Sequence, residues 1–138
     1  QGPGAITGLY TVLVEGDDMN EPVADAARAI LDGHVVLSRA LSDRGHYPPV
    51  DVLASVSRLM PQVASAEHRR AAARLREALG ALRAVEDLVR IGAYAAGSDA
   101  AADEALARLP RIEAFLRQAT AEAADLEATV RQLQELWA

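Results

Sequence analysis

GLYTVLVEGDDMNEPVADAARAILDGHVVLS, residues 8–38, sets two apolar runs around an amphipathic segment. GLYTVLVE (8–15) and HVVLS (34–38) are short, rich in β-branched side chains and bounded by turn or polar residues, the pattern of buried strands. Between them, NEPVADAARAILDG opens with Asn20 as a candidate cap, carries Pro22 in its first turn and closes with Gly33 just past the last apolar position. The order strand, helix, strand over this span is near the minimum for a right-handed crossover joining parallel strands. Two parallel strands do not make a stable sheet alone, so the stretch reads as the tail of a larger α/β domain. The strand at 8–15, short of neighbours, is then expected to pair with another copy or to stay mobile.

Downstream, YPPVDVLASVSR (47–58) reads as an extended Pro-rich segment leading into a short apolar stretch and one arginine. The composition changes near Pro61, beyond which Ala, Leu, Arg and Glu follow a helical period. The chain therefore divides into residues 1–61 and 62–138. A helix is expected from Ser65 to about Ile91, with Ala72, Leu75, Leu79, Leu82, Val85 and Val89 inward. Its other face carries Arg69, Arg70, Arg74, Arg76, Arg83 and Arg90 and reads as solvated, with an acidic partner as the alternative. The turn GAYAAGSD (92–99) ends it, with Ser98 or Asp99 able to cap the next helix. That helix runs to about Ala119 with Pro110 as a kink or break, and a third begins near Thr120 with Leu126, Val130, Leu133 and Trp137 on one stripe. The fold class is mainly α with a small α/β part: two strands and a crossover helix, then a three-helix bundle.

With 138 residues, 51% of them apolar and 25% charged, the chain has material for a core and is not disordered. A net charge of −6 gives no reason to expect nucleic acid or an anionic membrane as partner. The sequence shows no signal peptide and no apolar run long enough to cross a bilayer, and reads as a soluble chain. It has no cysteine, which excludes disulfides and thiol chemistry. All 14 cations are arginine, which excludes a P-loop lysine, a Schiff base and a Ser-Lys nucleophile within these residues. His34, His46 and His68 match no metal-ligand spacing, and EGDDMNEP lacks the full calcium-loop pattern, so no metal site is expected. Read bare, Arg58 suits a structural ion pair better than a phosphate contact, although the two uses look identical at this level.

VEGDDMNEPVAD, then DGHVVLSR, then YPPVDVLASVSR, closely resembles the end of the nucleotide-binding domain in ATPases of bacterial type III export systems, relatives of the rotary F-type ATPase catalytic subunits. LVRIGAYAAGSD and DEAL continue the match into the helical C-terminal domain. The resemblance is strongest over residues 6–64 and 87–106, loosens after about residue 117, and is greatest to the flagellar export ATPase, with the virulence injectisome ATPase a near second. It implies a RecA-like tail followed by a docking bundle.

The resemblance makes Arg58 an arginine finger reaching into the ATP site of the next subunit in a homohexamer, and Tyr47 the ring against the subunit's own adenine, with Pro48 and Pro49 holding the backbone extended. Asp17 and Asp18 become stalk-side contacts, and Tyr94 and Asp99 part of the tip that touches a coiled-coil stalk protein. The parent would use ATP and Mg²⁺, work at the cytoplasmic face of the inner membrane through the export gate, and meet a stator protein and export chaperones. The phosphate-binding loop is missing from these residues, so the chain alone is not expected to hydrolyse ATP or to hold a cofactor. Two rival readings are a stand-alone helical interaction module and a non-catalytic subunit of a rotary ATPase.

Overall fold

A computed structural model describes residue 2 and residues 4–138, with Asp17 described by its backbone alone. The chain is mainly helical with a small α/β part, and divides into two compact units, residues 1–32 and 33–138.

In the first unit a single 3₁₀ turn, Glu15–Asp17, precedes helix α1, Pro22–Ile30. Glu21, rather than Asn20, caps α1 by accepting the Ala24 N–H, and Pro22 occupies the first turn as expected, where its missing N–H costs nothing. The expected strand over 8–15 does not form: residues 8–14 carry no strand, and Leu9 and Leu13 are more than nine-tenths exposed. Its β-branched composition supplies propensity, but a strand exists only where a ladder satisfies its backbone groups.

In the second unit that ladder is antiparallel. Strand β1, Gly33–Leu37, pairs with β2, Val50–Ser57, through a connection holding the short helix α2, Arg39–Asp43. In place of the parallel pairing expected between 8–15 and 34–38, residues 38–49 return the chain so that β1 finds an antiparallel partner downstream. Gly33 opens β1 rather than ending α1. A Cβ there would lie 2.6 Å from the Val56 carbonyl oxygen, so the glycine permits close strand approach.

After the short helix α3, Met60–Val63, come the three long helices: α4, Ala66–Arg90; α5, Ala100–Leu116; and α6, Leu126–Glu135. Side-chain caps fix their starts. Ser65 Oγ accepts the His68 N–H, Asp99 the Ala101 and Ala102 N–H groups, and Asp125 the Ala128 N–H. α5 runs on through Pro110 without breaking. α6 starts at Asp125 rather than near Thr120, which leaves Leu126 in its exposed first turn.

Ala71, Leu75 and Ala78 of α4 meet Ala105 and Ile112 of α5 and Leu133 and Leu136 at the end of α6. Three alanines at these contacts let the helix axes approach closely. The bundle is closed at one seam by Trp137, whose ring has the Arg74 guanidinium 4.8 Å and the Arg108 guanidinium 5.6 Å from its centroid.

Candidate functional site

Strand β2 carries one candidate residue beyond each of its ends. Before it, Tyr47 is joined to Pro48 by a cis peptide bond. The segment is pinned from both sides: Ser38 N–H donates to the Pro49 carbonyl at 2.8 Å, and Gln118 N–H, from the loop after α5, donates to the Tyr47 carbonyl at 3.0 Å. The Tyr47 hydroxyl meets Ser42 Oγ at 2.9 Å, while 55% of the residue stays exposed. After the strand, Arg58 is exposed immediately beyond Ser57. Val50 lies opposite Leu37 and Ser57 opposite Gly33, so β1 sets the distance between the strand ends at about 13 Å, from a rise of about 3.3 Å per residue. Tyr47 and Arg58 lie outside those ends and do not converge.

Between the ends, β2 is not regular. Its register jumps from His34 opposite Val56 to Val36 opposite Asp51, so residues 52–55 face Val35 alone and leave the ladder. Their four carbonyls still find partners. Arg76 of α4 donates to the carbonyls of Val52 (2.5 Å), Leu53 (3.1 Å) and Ser55 (3.3 Å), and His34 Nε2 lies 3.1 Å from the Ala54 carbonyl. Ser55 Oγ donates to the Asp51 carbonyl at 2.6 Å and accepts the Val36 N–H at 3.0 Å, bridging the gap in the ladder.

Two further arginines of α4, each seven residues from Arg76 and hence on the same helix face, continue this grip. Arg83 contacts both Asp51 carboxylate oxygens, at 2.9 and 3.1 Å, and Arg69 donates to the Pro61 carbonyl at 2.5 Å. Burial pushes the Asp51 carboxyl up, but the Ala54 N–H bond and the hydrogen bond and charge of Arg83 outweigh it and hold it below its ordinary value. The face expected to be solvated therefore grips main chain and a carboxylate. Its signal in the sequence is the seven-residue spacing of Arg69, Arg76 and Arg83, which by itself reads only as charge.

At the far end of α4, the turn over 92–99 is tied to the first turn of α5. Tyr94 O–H donates to Asp103 Oδ1 at 2.9 Å, Gly97 N–H donates to Asp103 Oδ2 at 2.8 Å, and Asp99 caps α5. Burial and the Asp103 hydrogen bond push the Tyr94 phenol above its ordinary value. In the first unit, the exposed Asp18 accepts the Asn20 N–H at 3.0 Å; the side chain of Asp17 lies outside the described residues. Among the described residues no group of three or more metal-ligating side chains assembles, and no helix is long and apolar enough to cross a membrane.

Two family models match this chain: the T3SS EscN ATPase C-terminal domain over residues 64–135, and the nucleotide-binding domain of the ATP synthase alpha/beta family over residues 1–57. The chain belongs to the type III secretion ATPase family. It is 53% identical to the SPI-2 type 3 secretion system ATPase of Salmonella typhimurium, covering 96% of this chain and 31% of that protein. To the flagellum-specific ATP synthase of Pseudomonas aeruginosa it is 50% identical, covering 99% of this chain and 30% of the relative. It thus spans about a third of the length of the curated relatives it matches. The assembled ATPase EscN of enteropathogenic E. coli superposes with a TM-score of 0.87 at 41% identity, over 94% of this chain and 31% of that one. EscN in complex with its central stalk EscO superposes with a TM-score of 0.79 at 39% identity, over 85% and 29% of the two chains.

Proposed function

We propose that this chain works within an ATP-hydrolysing homohexamer that energises type III protein export, in an apparatus of the kind shared by flagella and virulence injectisomes. Arg58 is the catalytic residue the chain supplies, an arginine finger reaching the phosphates held by the neighbouring subunit. A guanidinium suits this use because it is permanently charged and forks onto phosphate oxygens, stabilising the charge that develops as the phosphoryl group transfers. Tyr47, a largely exposed aromatic, serves the subunit's own nucleotide by packing its ring against the adenine. The observation that carries the reading is their position beyond opposite ends of β2, which suits contacts to two different nucleotides better than to one. In this reading the parent protein uses ATP together with Mg²⁺.

Residues 1–61 form the end of the nucleotide-binding domain in this reading and 62–138 the docking domain, a division supported by the two family matches at 1–57 and 64–135. The 92–99 turn, with Tyr94 and Asp99, and the loop at Asp17 and Asp18 face a coiled-coil stalk; the EscN complex with EscO supports such a partner. Export chaperones and a stator protein dock on the bundle, at the cytoplasmic face of the inner membrane. The test is Arg58→Ala in the full-length protein. An arginine finger predicts a loss of ATP turnover of about 10³-fold or more, and turnover within about twofold of the parent would overturn the assignment.

A further inference from the structure

The irregular middle of β2 needs an explanation. A bulge of this size removes four consecutive carbonyls from the ladder, and each would cost free energy if buried without a partner. Three of the four are collected by one guanidinium, that of Arg76. A planar fork with five N–H donors can serve three diverging carbonyls at once; an ammonium with three rotating donors on a compact centre cannot hold the same shape. The bulge ends at Ser55, and Arg58 follows three residues later with only Val56 and Ser57, paired to His34 and Gly33, between them. The path of the chain into Arg58 is therefore set on one side by β1 and on the other by Arg76.

We infer that Arg76 is a positioning residue for the reaction: by fixing the carbonyls of Val52, Leu53 and Ser55 it holds the bulge, and through it the place from which Arg58 reaches the neighbouring subunit's phosphates. This inference rests on the reading of Arg58 as the finger. Arg83 acts alongside, anchoring the start of the same bulge through Asp51, whose carboxylate also accepts the Ala54 N–H at 3.0 Å. The grip is one helix, α4, holding the strand that leads into the reactive arginine.

The experiment uses the full-length hexameric protein and compares Arg76→Gln, Arg76→Lys, Arg58→Ala and the double variant Arg58→Ala/Arg76→Gln. Misplacing a reacting group by about 1 Å costs up to about 10²-fold, so Arg76→Gln should lower kcat for ATP by about 10- to 100-fold with KM little changed. Arg76→Lys, which keeps the charge but loses the fork, should restore only part of kcat. Because Arg76 acts through Arg58, the double variant should be no slower than Arg58→Ala alone. Arg111→Gln removes a comparable guanidinium-to-carbonyl bond, 2.5 Å to the Glu135 carbonyl at the α5–α6 junction, and should leave kcat within about twofold.

A kcat for Arg76→Gln within about twofold of the parent, or a double variant slower than Arg58→Ala by the full Arg76→Gln factor, would overturn the inference. If Arg76→Gln fails to assemble, the same comparison is read from Arg76→Lys, alone and on the Arg58→Ala background. Should Arg58→Ala itself keep its turnover, it is the finger reading that fails, and a separate loss in Arg76→Gln would then point to support of the fold.

Discussion

Gly33 and Gly80 give opposite expectations for the same chemical change. At Gly33 an added Cβ would sit 2.6 Å from the Val56 carbonyl oxygen and 3.2 Å from the Ser57 Cα, both backbone atoms that move only if the β1–β2 ladder opens. Such overpacking costs about 1–3 kcal/mol. Alanine recovers about 0.5–1 kcal/mol of chain entropy, leaving Gly33→Ala less stable by up to roughly 2.5 kcal/mol. Gly80 lies within α4 with nothing beyond the helix's own neighbouring backbone within 4 Å of its would-be Cβ, so Gly80→Ala meets no clash and gains helix propensity, about 1 kcal/mol in favour of the folded state. Urea unfolding of the 138-residue chain, followed by the helical circular-dichroism signal, should move the midpoint down for Gly33→Ala and up for Gly80→Ala at constant slope. The close strand approach would be refuted by a Gly33→Ala midpoint at or above the parent's, and the open helix position by a Gly80→Ala midpoint below it.

Ile112 is 1% exposed at the centre of the bundle, so Ile112→Ala should cost about 2–5 kcal/mol in the same unfolding assay, whereas a loss under about 1 kcal/mol would mean that the cluster collapses around the void. Asp51 has its folded pKa depressed, so its contribution is present above the unfolded carboxylate value, about 3.9, and is lost as pH falls through the lower folded value. Asp51→Asn should therefore lower stability at neutral pH and flatten the acid limb of the stability profile. An acid limb identical to the parent's would show that the Arg83 contact does not hold in solution.

The sequence made the helices of the second unit legible because their boundaries are local chemistry. Ser65 and Asp99 are capping residues that bond within three positions of themselves, and the structure uses both. α6 was set too early because Asp125, the residue that starts it, sits inside a run of Ala and Glu with good helix propensity on both sides. The strand at 8–15 failed for a different reason. Propensity can say that a segment suits a ladder, but the partner is a non-local fact, and here the ladder of β1 is made with residues 50–57.

Gly33 shows the same limit. One residue past an apolar helix it reads as a stop signal, whereas its use is the approach of Val56 across the sheet. Tyr47 and Arg58 were found by resemblance alone, since neither has a local pattern that separates a nucleotide contact from a structural one. Arg76 was found by neither route. Its acceptors are main-chain carbonyls, which no sequence pattern marks, and the heptad spacing with Arg69 and Arg83 resembles an ordinary charged helix face until the bulge is seen beside it.

Trp137, at the seam between Arg74 and Arg108, is the only tryptophan in the chain. Its position after α6 makes it a built-in fluorophore at a corner where side chains of α4 and α5 close over the end of α6. Opening of that corner, by a bound partner or by heat, changes the surroundings of a single emitter with no label attached and no second indole to confuse the signal.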